Sequence, residues 1–443
     1  MKFKPLEKFD FIIVICVLIL TVMGVAYIYS SGIDSSGYIQ NTNHIKQIIW
    51  ASVGFVMMLV VSLLNYKRTI RYIKFIVPAI LVLLVITPFF GATLNNARSW
   101  LKIGKVFIQP SEFSKIIYIL FFAWYLEKSK KDKPQKRFAL SLVFLAIPLG
   151  LILLQPDFGT AMVFIPIFLF MCLIAGIPIR YVAGLFFSGA LIIIFTVLPL
   201  WETYIYGKSV PIIKLLTNKK LFMVLIAASA VITLMGLLGF IFLKKSYFYW
   251  ITYVSGIIFL GLVGSLVFGK VLKEYQIKRL IIFLNPNVDP KDAGWNIINS
   301  QIAIGSGGFS GKGYLMGTQS HYRFLPQQST DFIFGILAEE SGFLGCMVLF
   351  VAYLAILLRI IKTMRTINDS YGLNICAGVL GLFFFHFLIN VGMVMGIMPC
   401  TGIPLPFVSY GGSAYITNAA ALGLVMSARS RKLDFSLSYL GKS

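Results

Sequence analysis

Long apolar runs make up most of the chain, and short polar segments separate them. A helix of about 20 apolar residues is long enough to cross the hydrocarbon core of a bilayer. On that measure we predict an all-α polytopic membrane protein with about 12 transmembrane helices, near residues 9–30, 47–65, 74–91, 112–127, 138–154, 158–177, 181–200, 221–243, 247–269, 333–358, 373–397 and 408–428.

One stretch between the apolar runs is long and irregular, and long irregular loops in compact proteins tend to be functional. A second feature is a tight pair of apolar runs joined by only Lys244, Lys245 and Ser246. We therefore divide the chain into four parts: N-terminal helices one to seven at 1–200, a transmembrane hairpin at 201–269, a large loop at 270–331, and C-terminal helices with a tail at 332–443.

The composition supports a membrane protein. Hydrophobic residues make up 58% of the chain and charged residues only 12%, against roughly 25% charged in an ordinary soluble domain. These values exclude a soluble globular enzyme, a disordered chain and a fibrous repeat. The net charge of +23 would suggest nucleic acid in a soluble chain, but no helix-turn-helix or zinc finger accompanies it.

The basic residues instead predict an orientation. If the N-terminus is cytoplasmic, the inner segments contain 23 Lys and Arg residues and the short outer loops contain 8. Cytoplasmic loops carry such an excess, so we expect both termini inside and the large loop outside. No cleavage site follows the first apolar run, which we interpret as a retained helix.

Acidic residues mark the end of the large loop. Asp331 lies where the loop enters the next helix, and two interpretations are equally open: a functional acid near hydrocarbon or an N-cap. As a functional acid it could serve as a general base on a hydroxyl group. Glu339 and Glu340 follow about 12 Å further along the helix. Paired acids at that depth need partners, and for Glu339 we slightly favour a structural role, in an ion pair or a water-filled pocket, over a functional one.

Glycines are dense at 305–313, and such a segment allows backbone N–H groups to approach a phosphate. It matches no P-loop, so a flexible turn is the favoured interpretation. Just before it, Trp295, Ile298 and Ile302 recur at helical spacing. This predicts a short amphipathic helix lying on the membrane, with ordinary packing as the alternative.

Charged residues also occur in two shorter outer segments. Glu112 and Lys115 are i, i+3 neighbours and can pair. Lys115 either snorkels to the interface or joins Arg98 in clamping a pyrophosphate. Asp157 lies at a break between two apolar runs, as a functional acid or in a tight turn. Asn390 and three prolines flank a further break before Ser409, and broken helices often line cavities in membrane proteins.

Taken in order, these stretches resemble the shape, elongation, division and sporulation (SEDS) family of membrane proteins. The matching stretches are RSW at 98–100, QPSEFSK at 109–115, QPDFGT at 155–160, the glycine segment at 303–313, TDFIF at 330–334, AEE at 338–340 and PLPFVSYGGS at 404–413. The glycine segment and the GTQS at 317–320 resemble the elongation members more than the division members.

The resemblance implies a SEDS-type helical bundle and a peptidoglycan glycosyltransferase of the bacterial cell membrane, serving cell elongation and rod shape. Such an enzyme polymerises lipid II into β-1,4 glycan strands by inverting transfer, with undecaprenyl pyrophosphate as the leaving group. The resemblance assigns Asp331 as the essential acidic residue of the large loop, and we predict that it is the catalytic general base. It assigns substrate contacts to Arg98, Lys115, Asp157, Glu112, Glu340, Gln319 and Ser409.

The resemblance also implies partners and leaves cofactors open. The expected partner is a class B penicillin-binding protein, a monofunctional transpeptidase, together with membrane proteins of the elongation complex and membrane lipids, and no nucleic acid. No cofactor is certain, and assistance by Mg²⁺ or Mn²⁺ stays open. Gln327 and Arg323 stand where the family often has acids, so an auxiliary metal or acid role there is in doubt.

The chain departs from the family in its number of spans, because members usually have ten and we predict about 12 here. We interpret the hairpin as an insertion of two helices, which preserves the topology. Rival functions remain. A lipid II flippase would use acids near mid-membrane, where Glu339 and Glu340 are the candidates. The division-specific member of the family is a second rival, and a scaffold that only recruits the transpeptidase is a third.

Overall fold

The structure is a computed structural model and describes residues 10–34, 36–94, 97–104, 106–208, 210–271, 274–288, 293–322 and 328–440. Helices account for most of these residues. They are α1 Phe11–Ser30, α2 Asn43–Leu63, α3 Thr69–Phe90, α4 Pro110–Lys128, α5 Pro134–Leu153, α6 Phe158–Ile174, α7 Ile179–Trp201, α8 Pro211–Thr217, α9 Lys219–Leu243, α10 Ser246–Val271, α11 Glu274–Leu284, α12 Ala293–Gly307, α13 Thr318–His321, α14 Ile333–Met364, α15 Ser370–Val394 and α16 Gly412–Leu440.

The prediction of a polytopic helical membrane protein is confirmed. Among the described residues, nine helices are long and apolar enough to cross a membrane. Three other predicted spans correspond to α4, α6 and α16. Of these, α6 is shorter than the nine, with 17 residues. The helix α4 is more highly charged than they are, because it contains Glu112, Lys115 and Glu127. The total of 12 spans therefore stays a prediction.

A small antiparallel sheet replaces the plain loop that the sequence predicts between α3 and α4. Its strands are β1 Ala92–Leu94, β2 Ala97–Ile103 and β3 Val106–Ile108, in the order β1-β2-β3. In the β2–β3 pair, Leu101 is opposite Ile108 and Lys102 is opposite Phe107. The sheet places Arg98 on a strand rather than on an irregular loop.

The chain separates into two compact units, one formed by Met1–Ile177 with Asn299–Ser443 and the other by Pro178–Ile298. In the first unit α15 is an interior helix. Among the nine long apolar helices it is the most buried, at 78% of its apolar stretch against 33% for α14. Its neighbours include α4, α6, α14 and α16.

The second unit contains the predicted hairpin together with α7. Thr233 of α9 donates a hydrogen bond to Ser255 of α10 at 2.9 Å, and Tyr253 of α10 donates to the carbonyl of Arg180 at 2.6 Å. Lys244 ends α9 with a left-handed backbone, φ 51°, as a short turn between antiparallel helices requires. The unit at 178–298 is thus wider than the predicted hairpin at 201–269, and the four predicted divisions stay predictions.

Two local features surround the glycine segment. Before it, α12 confirms the predicted short helix. Trp295 and Ile302 on that helix are 38% and 47% exposed, whereas Ser300 is buried and donates to the carbonyl of Val394 at 2.8 Å, so the membrane-lying placement stays a prediction. After it, α14 is interrupted at Gly342, whose φ of 62° is accessible mainly to glycine. The backbone N–H groups of Phe343 and Leu344 donate to the carbonyls of Gly308 and Phe309, so the glycine segment packs into this break.

Candidate active site

Asp331 lies outside the first turn of α14. The helix begins at Ile333, and Phe332 occupies its N-cap position without a side-chain capping bond. The alternative that Asp331 is the N-cap is therefore wrong. The side chain is partly exposed, and the preceding backbone is tied to the segment between α15 and α16, because the N–H of Tyr410 donates to the carbonyl of Ser329 at 2.8 Å.

The segment at 395–411, here called the α15–α16 segment, passes directly beside Asp331. Gly402 has a φ of 70°, and a Cβ built on it would lie 3.4 Å from Oδ2 of Asp331. A Cβ built on Gly159, near the start of α6, would lie only 2.5 Å from the carbonyl oxygen of Thr401. Glycine is required at 159 because a Cβ there would collide with the Thr401 carbonyl, and it is favoured at 402 because φ is positive. The predicted break before α16 is confirmed as a stretch of non-helical backbone.

Asp157 connects the start of α6 to the start of α4. It is the N-cap of α6 and accepts from the N–H of Thr160 at 3.1 Å. It also accepts from Nε2 of Gln109 at 2.7 Å and from the hydroxyl of Ser111 at 3.1 Å. Its carboxylate therefore has a clear structural role at this junction, where it fixes the entry of two helices beside the α15–α16 segment.

Lys115 and Glu112 form the predicted i, i+3 pair. The Lys115 Nζ lies 2.8 Å from both carboxylate oxygens of Glu112, and the two side chains are 0% and 4% exposed. Snorkelling is therefore the wrong interpretation for Lys115. A buried pair of this kind is costly to break, because removal of one partner leaves an uncompensated charge in a low-dielectric environment.

A third buried residue, His386, lies beside this pair. It was not predicted from the sequence. Its Nε2 lies 3.3 Å from Lys115 Nζ, and its Nδ1 lies 3.1 Å from the carbonyl oxygen of Pro404. Because an ammonium can only donate, Nε2 must accept, and Nδ1 must carry the proton and donate to Pro404. A buried line of polar groups thus runs from α4 through α15 to the α15–α16 segment.

Arg98 is in a different environment from Lys115. It is exposed on β2, and its Nε donates to Oγ1 of Thr93 at 3.2 Å. An anion bound at Arg98 would therefore meet an exposed guanidinium, whereas the Lys115 ammonium is enclosed by Glu112 and His386. The sequence interpretation of both residues as one direct clamp is not the arrangement seen here.

Glu339 is a structural ion pair. Its carboxylate is fully buried and lies 2.7 Å from Lys312 Nζ, and it also accepts from the backbone N–H groups of Thr318 and Gln319. The backbone N–H groups of Lys312 and Gly313 donate to the carbonyls of Glu339 and Glu340. These amides of the glycine segment are therefore already engaged, and they do not form a phosphate cradle.

Glu340 is likewise enclosed. It accepts from the hydroxyl of Ser30 on α1 and from the N–H of Leu315 at 3.2 Å, and Nε2 of His321 lies 4.0 Å away. Together these contacts attach the large loop to α1 and to the break in α14. We call this cluster of Glu339, Glu340, Lys312, Ser30 and His321 the loop anchor.

Two further predicted site residues have mainly backbone partners. The hydroxyl of Ser409 is buried and accepts from the N–H of Leu405 at 2.8 Å, within the α15–α16 segment. Gln319 lies beside the loop anchor through its backbone, and among the described residues its buried Oε1 has no hydrogen-bond partner. Gln327 and Arg323 lie outside the described residues.

The comparisons with known proteins agree with this architecture. The cell cycle protein family of FtsW, RodA and SpoVE matches residues 10–220 and 205–433. The peptidoglycan glycosyltransferase RodA of Treponema pallidum is 46% identical over 98% of this chain and 100% of its own length. The peptidoglycan glycosyltransferase MrdB of Escherichia coli K12 is 31% identical over 89% of this chain and 87% of its own length.

The fold is also similar to a solved one. A chain of a peptidoglycan synthase complex, described as coordinating polymerization and crosslinking, superposes with a TM-score of 0.66 and 24% identity, over 96% of this chain and 98% of that chain. The fold and the polar site beside a broken helix define the class: this is a polytopic helical membrane protein. The chain belongs to the FtsW, RodA and SpoVE family, as the ordered motifs predicted.

Proposed function

We propose that Asp331 is the general base of a lipid II polymerase. The activity itself, peptidoglycan glycosyl transfer, follows from membership of the family and from 46% identity with a glycosyltransferase across the whole chain. The observation that carries the proposal is the placement of Asp331: a partly exposed carboxylate before α14, beside Gly402 of the α15–α16 segment, where a Cβ would lie 3.4 Å from Oδ2.

In this mechanism Asp331 accepts the proton of the acceptor's GlcNAc 4-hydroxyl. The oxygen attacks the anomeric carbon of the donor, the bond to the pyrophosphate oxygen breaks, and the configuration inverts to give a β-1,4 linkage. Undecaprenyl pyrophosphate leaves with the bonding electrons. A positioned general base contributes about 10²- to 10⁴-fold to a rate, which is the size of effect that Asp331 would supply.

The cations divide the remaining work. Arg98, which is exposed, binds the pyrophosphate and stabilises the charge that develops on it. Lys115 acts indirectly, because its pair with Glu112 and its contact with His386 hold α4 against α15. Asp157 and Ser409 fix the neighbouring backbone at the start of α6 and in the α15–α16 segment. Glu340 belongs to the loop anchor and Gln319 lies beside it, so we assign both to the placement of the outer loop.

The orientation that suits this mechanism has both termini in the cytoplasm and the catalytic side outside. The excess of Lys and Arg in the inner segments supports it. In that orientation Asp331 meets lipid II at the outer face. We also propose a class B penicillin-binding protein as partner, supported by the likeness in fold to a chain of a peptidoglycan synthase complex.

The test is polymerisation of lipid II by the purified full-length chain, with its transpeptidase present in every reaction. Asp331→Asn keeps the size of the side chain and removes the base, so polymer formation should fall about 10²- to 10⁴-fold while the protein stays inserted. Polymerisation at the wild-type rate would refute the base assignment. Flipping of labelled lipid II without polymer would favour a flippase, and a silent Asp331→Asn variant in cells would favour a scaffold.

A further inference from the structure

Asn390 of α15 joins the two backbone segments on either side of the proposed base. Its side chain is fully buried, and Nδ2 donates to the carbonyl of Asp331 at 3.0 Å and to the carbonyl of Ile403 at 2.7 Å. Both partners are acceptors, so the nitrogen must face them. One amide group thus fixes Asp331 relative to the α15–α16 segment.

The same face of α15 holds that segment at a second point. His386 lies one turn earlier, at i−4, and its Nδ1 hydrogen-bonds the carbonyl of Pro404, next to Ile403. Among the described residues, Oδ1 of Asn390 has no hydrogen-bond partner, so the contribution of this amide comes from its two donated bonds. The amide of Asn390 therefore holds both carbonyls without any contact from a substrate.

We propose that Asn390 is a positioning residue for the glycosyl transfer, acting through Asp331. This inference rests on the proposed role of Asp331 as the base. Without the amide, the carbonyls of Asp331 and Ile403 lose the donor that they share, and the Asp331 backbone can shift relative to Gly402. A displacement of about 1 Å can cost about 100-fold in rate, whereas substrate contacts elsewhere are unchanged.

The test compares Asn390→Ala and Asn390→Ser with Asp331→Asn in the lipid II polymerisation assay, on full-length protein with its transpeptidase. For Asn390→Ala we expect kcat to fall about 10- to 100-fold while KM for lipid II changes less than about twofold. Asn390→Ser keeps one donor and should lose less. A purely structural residue would instead lower the melting temperature and the folded yield, with kcat per folded molecule unchanged.

Asn374→Ala is the matched control. Asn374 is also buried in α15, but it lies 16 residues earlier, about 24 Å along the helix at 1.5 Å per residue. We expect this variant to retain wild-type kcat. Coupling is measured by combining Asn390→Ala with Asp331→Glu, since residues that act as one unit give non-additive effects.

The outcomes separate the inference from the function on which it rests. If Asp331→Asn is inactive and both Asn390 variants keep kcat within about twofold, the positioning role is wrong and the base assignment stands. If Asp331→Asn polymerises normally, the base assignment is wrong and Asn390 has nothing to position. If both Asn390 variants fail to fold, Asn390 is a stability residue and the inference is also wrong.

Discussion

The loop anchor and the surroundings of Asp331 are two regions of the first unit in which acids have different environments. In the loop anchor, Glu339 and Glu340 are fully buried and their oxygens accept from backbone N–H groups and from side chains on other segments. Asp331 is partly exposed, and Asn390 of α15 donates a hydrogen bond to its backbone carbonyl. The contrast teaches that an acid in an apolar chain can serve either attachment or chemistry, and that exposure and the kind of contact distinguish the two.

The largest expected effect on stability comes from the buried pair next to the site. Lys115→Met leaves the Glu112 carboxylate and Nε2 of His386 without the ammonium between them. Breaking a buried pair costs about 3 to 5 kcal/mol, so the free energy of unfolding in detergent should fall by that amount. The double variant Glu112→Gln with Lys115→Met removes both charges and should recover most of the loss. Equal losses in both would contradict the pairing argument.

A smaller loss is expected in the loop anchor. In Glu340→Gln the amide oxygen can still accept from the N–H of Leu315, but the amide nitrogen then faces the Ser30 hydroxyl, whose proton loses this acceptor. A buried polar group left unsatisfied costs about 1 to 3 kcal/mol, which chemical denaturation can measure. Polymerisation per folded molecule should stay near wild type. A loss of kcat without a loss of stability would return Glu340 to the substrate site.

The smallest effect is expected at the exposed cation. Arg98→Ala should leave the free energy of unfolding unchanged, because the side chain is solvent-accessible and makes one hydrogen bond within its hairpin. KM for lipid II should rise about tenfold, equivalent to about 1.4 kcal/mol. Lys102→Ala is the control, since Lys102 is another exposed cation on β2. Equal changes in both variants would indicate general attraction of anions, with no specific site at Arg98.

Much of the helical pattern follows from hydropathy, because a helix in lipid must be long and apolar. The predicted runs at 221–243 and 247–269 correspond closely to α9 and α10. The small sheet at 92–108 was missed because its strands are short and depend on pairing with each other. The break in α14 was missed because Gly342 is only one residue, and the segment that fills the break lies about 30 residues earlier.

The site was predicted only in part, because the sequence shows single residues and does not show which of them come into contact. Acids and cations in an apolar chain stand out individually, so Asp331, Lys115 and Asp157 were found from the sequence. Their partners did not stand out. His386 is a single histidine inside an apolar helix, and its importance becomes visible only when Lys115 and Pro404 lie on either side of it. Hydropathy also cannot tell an enclosed acid such as Glu340 from a partly exposed one.

The most direct measurement is the rate of glycan polymerisation by Asp331→Asn and Glu340→Gln, purified side by side at equal folded concentration. The comparison of the two regions predicts that Asp331→Asn loses at least about 100-fold in kcat while Glu340→Gln stays within about twofold of wild type. A polymerising Asp331→Asn variant, or a stable but inactive Glu340→Gln variant, would reverse the roles assigned to the two acids.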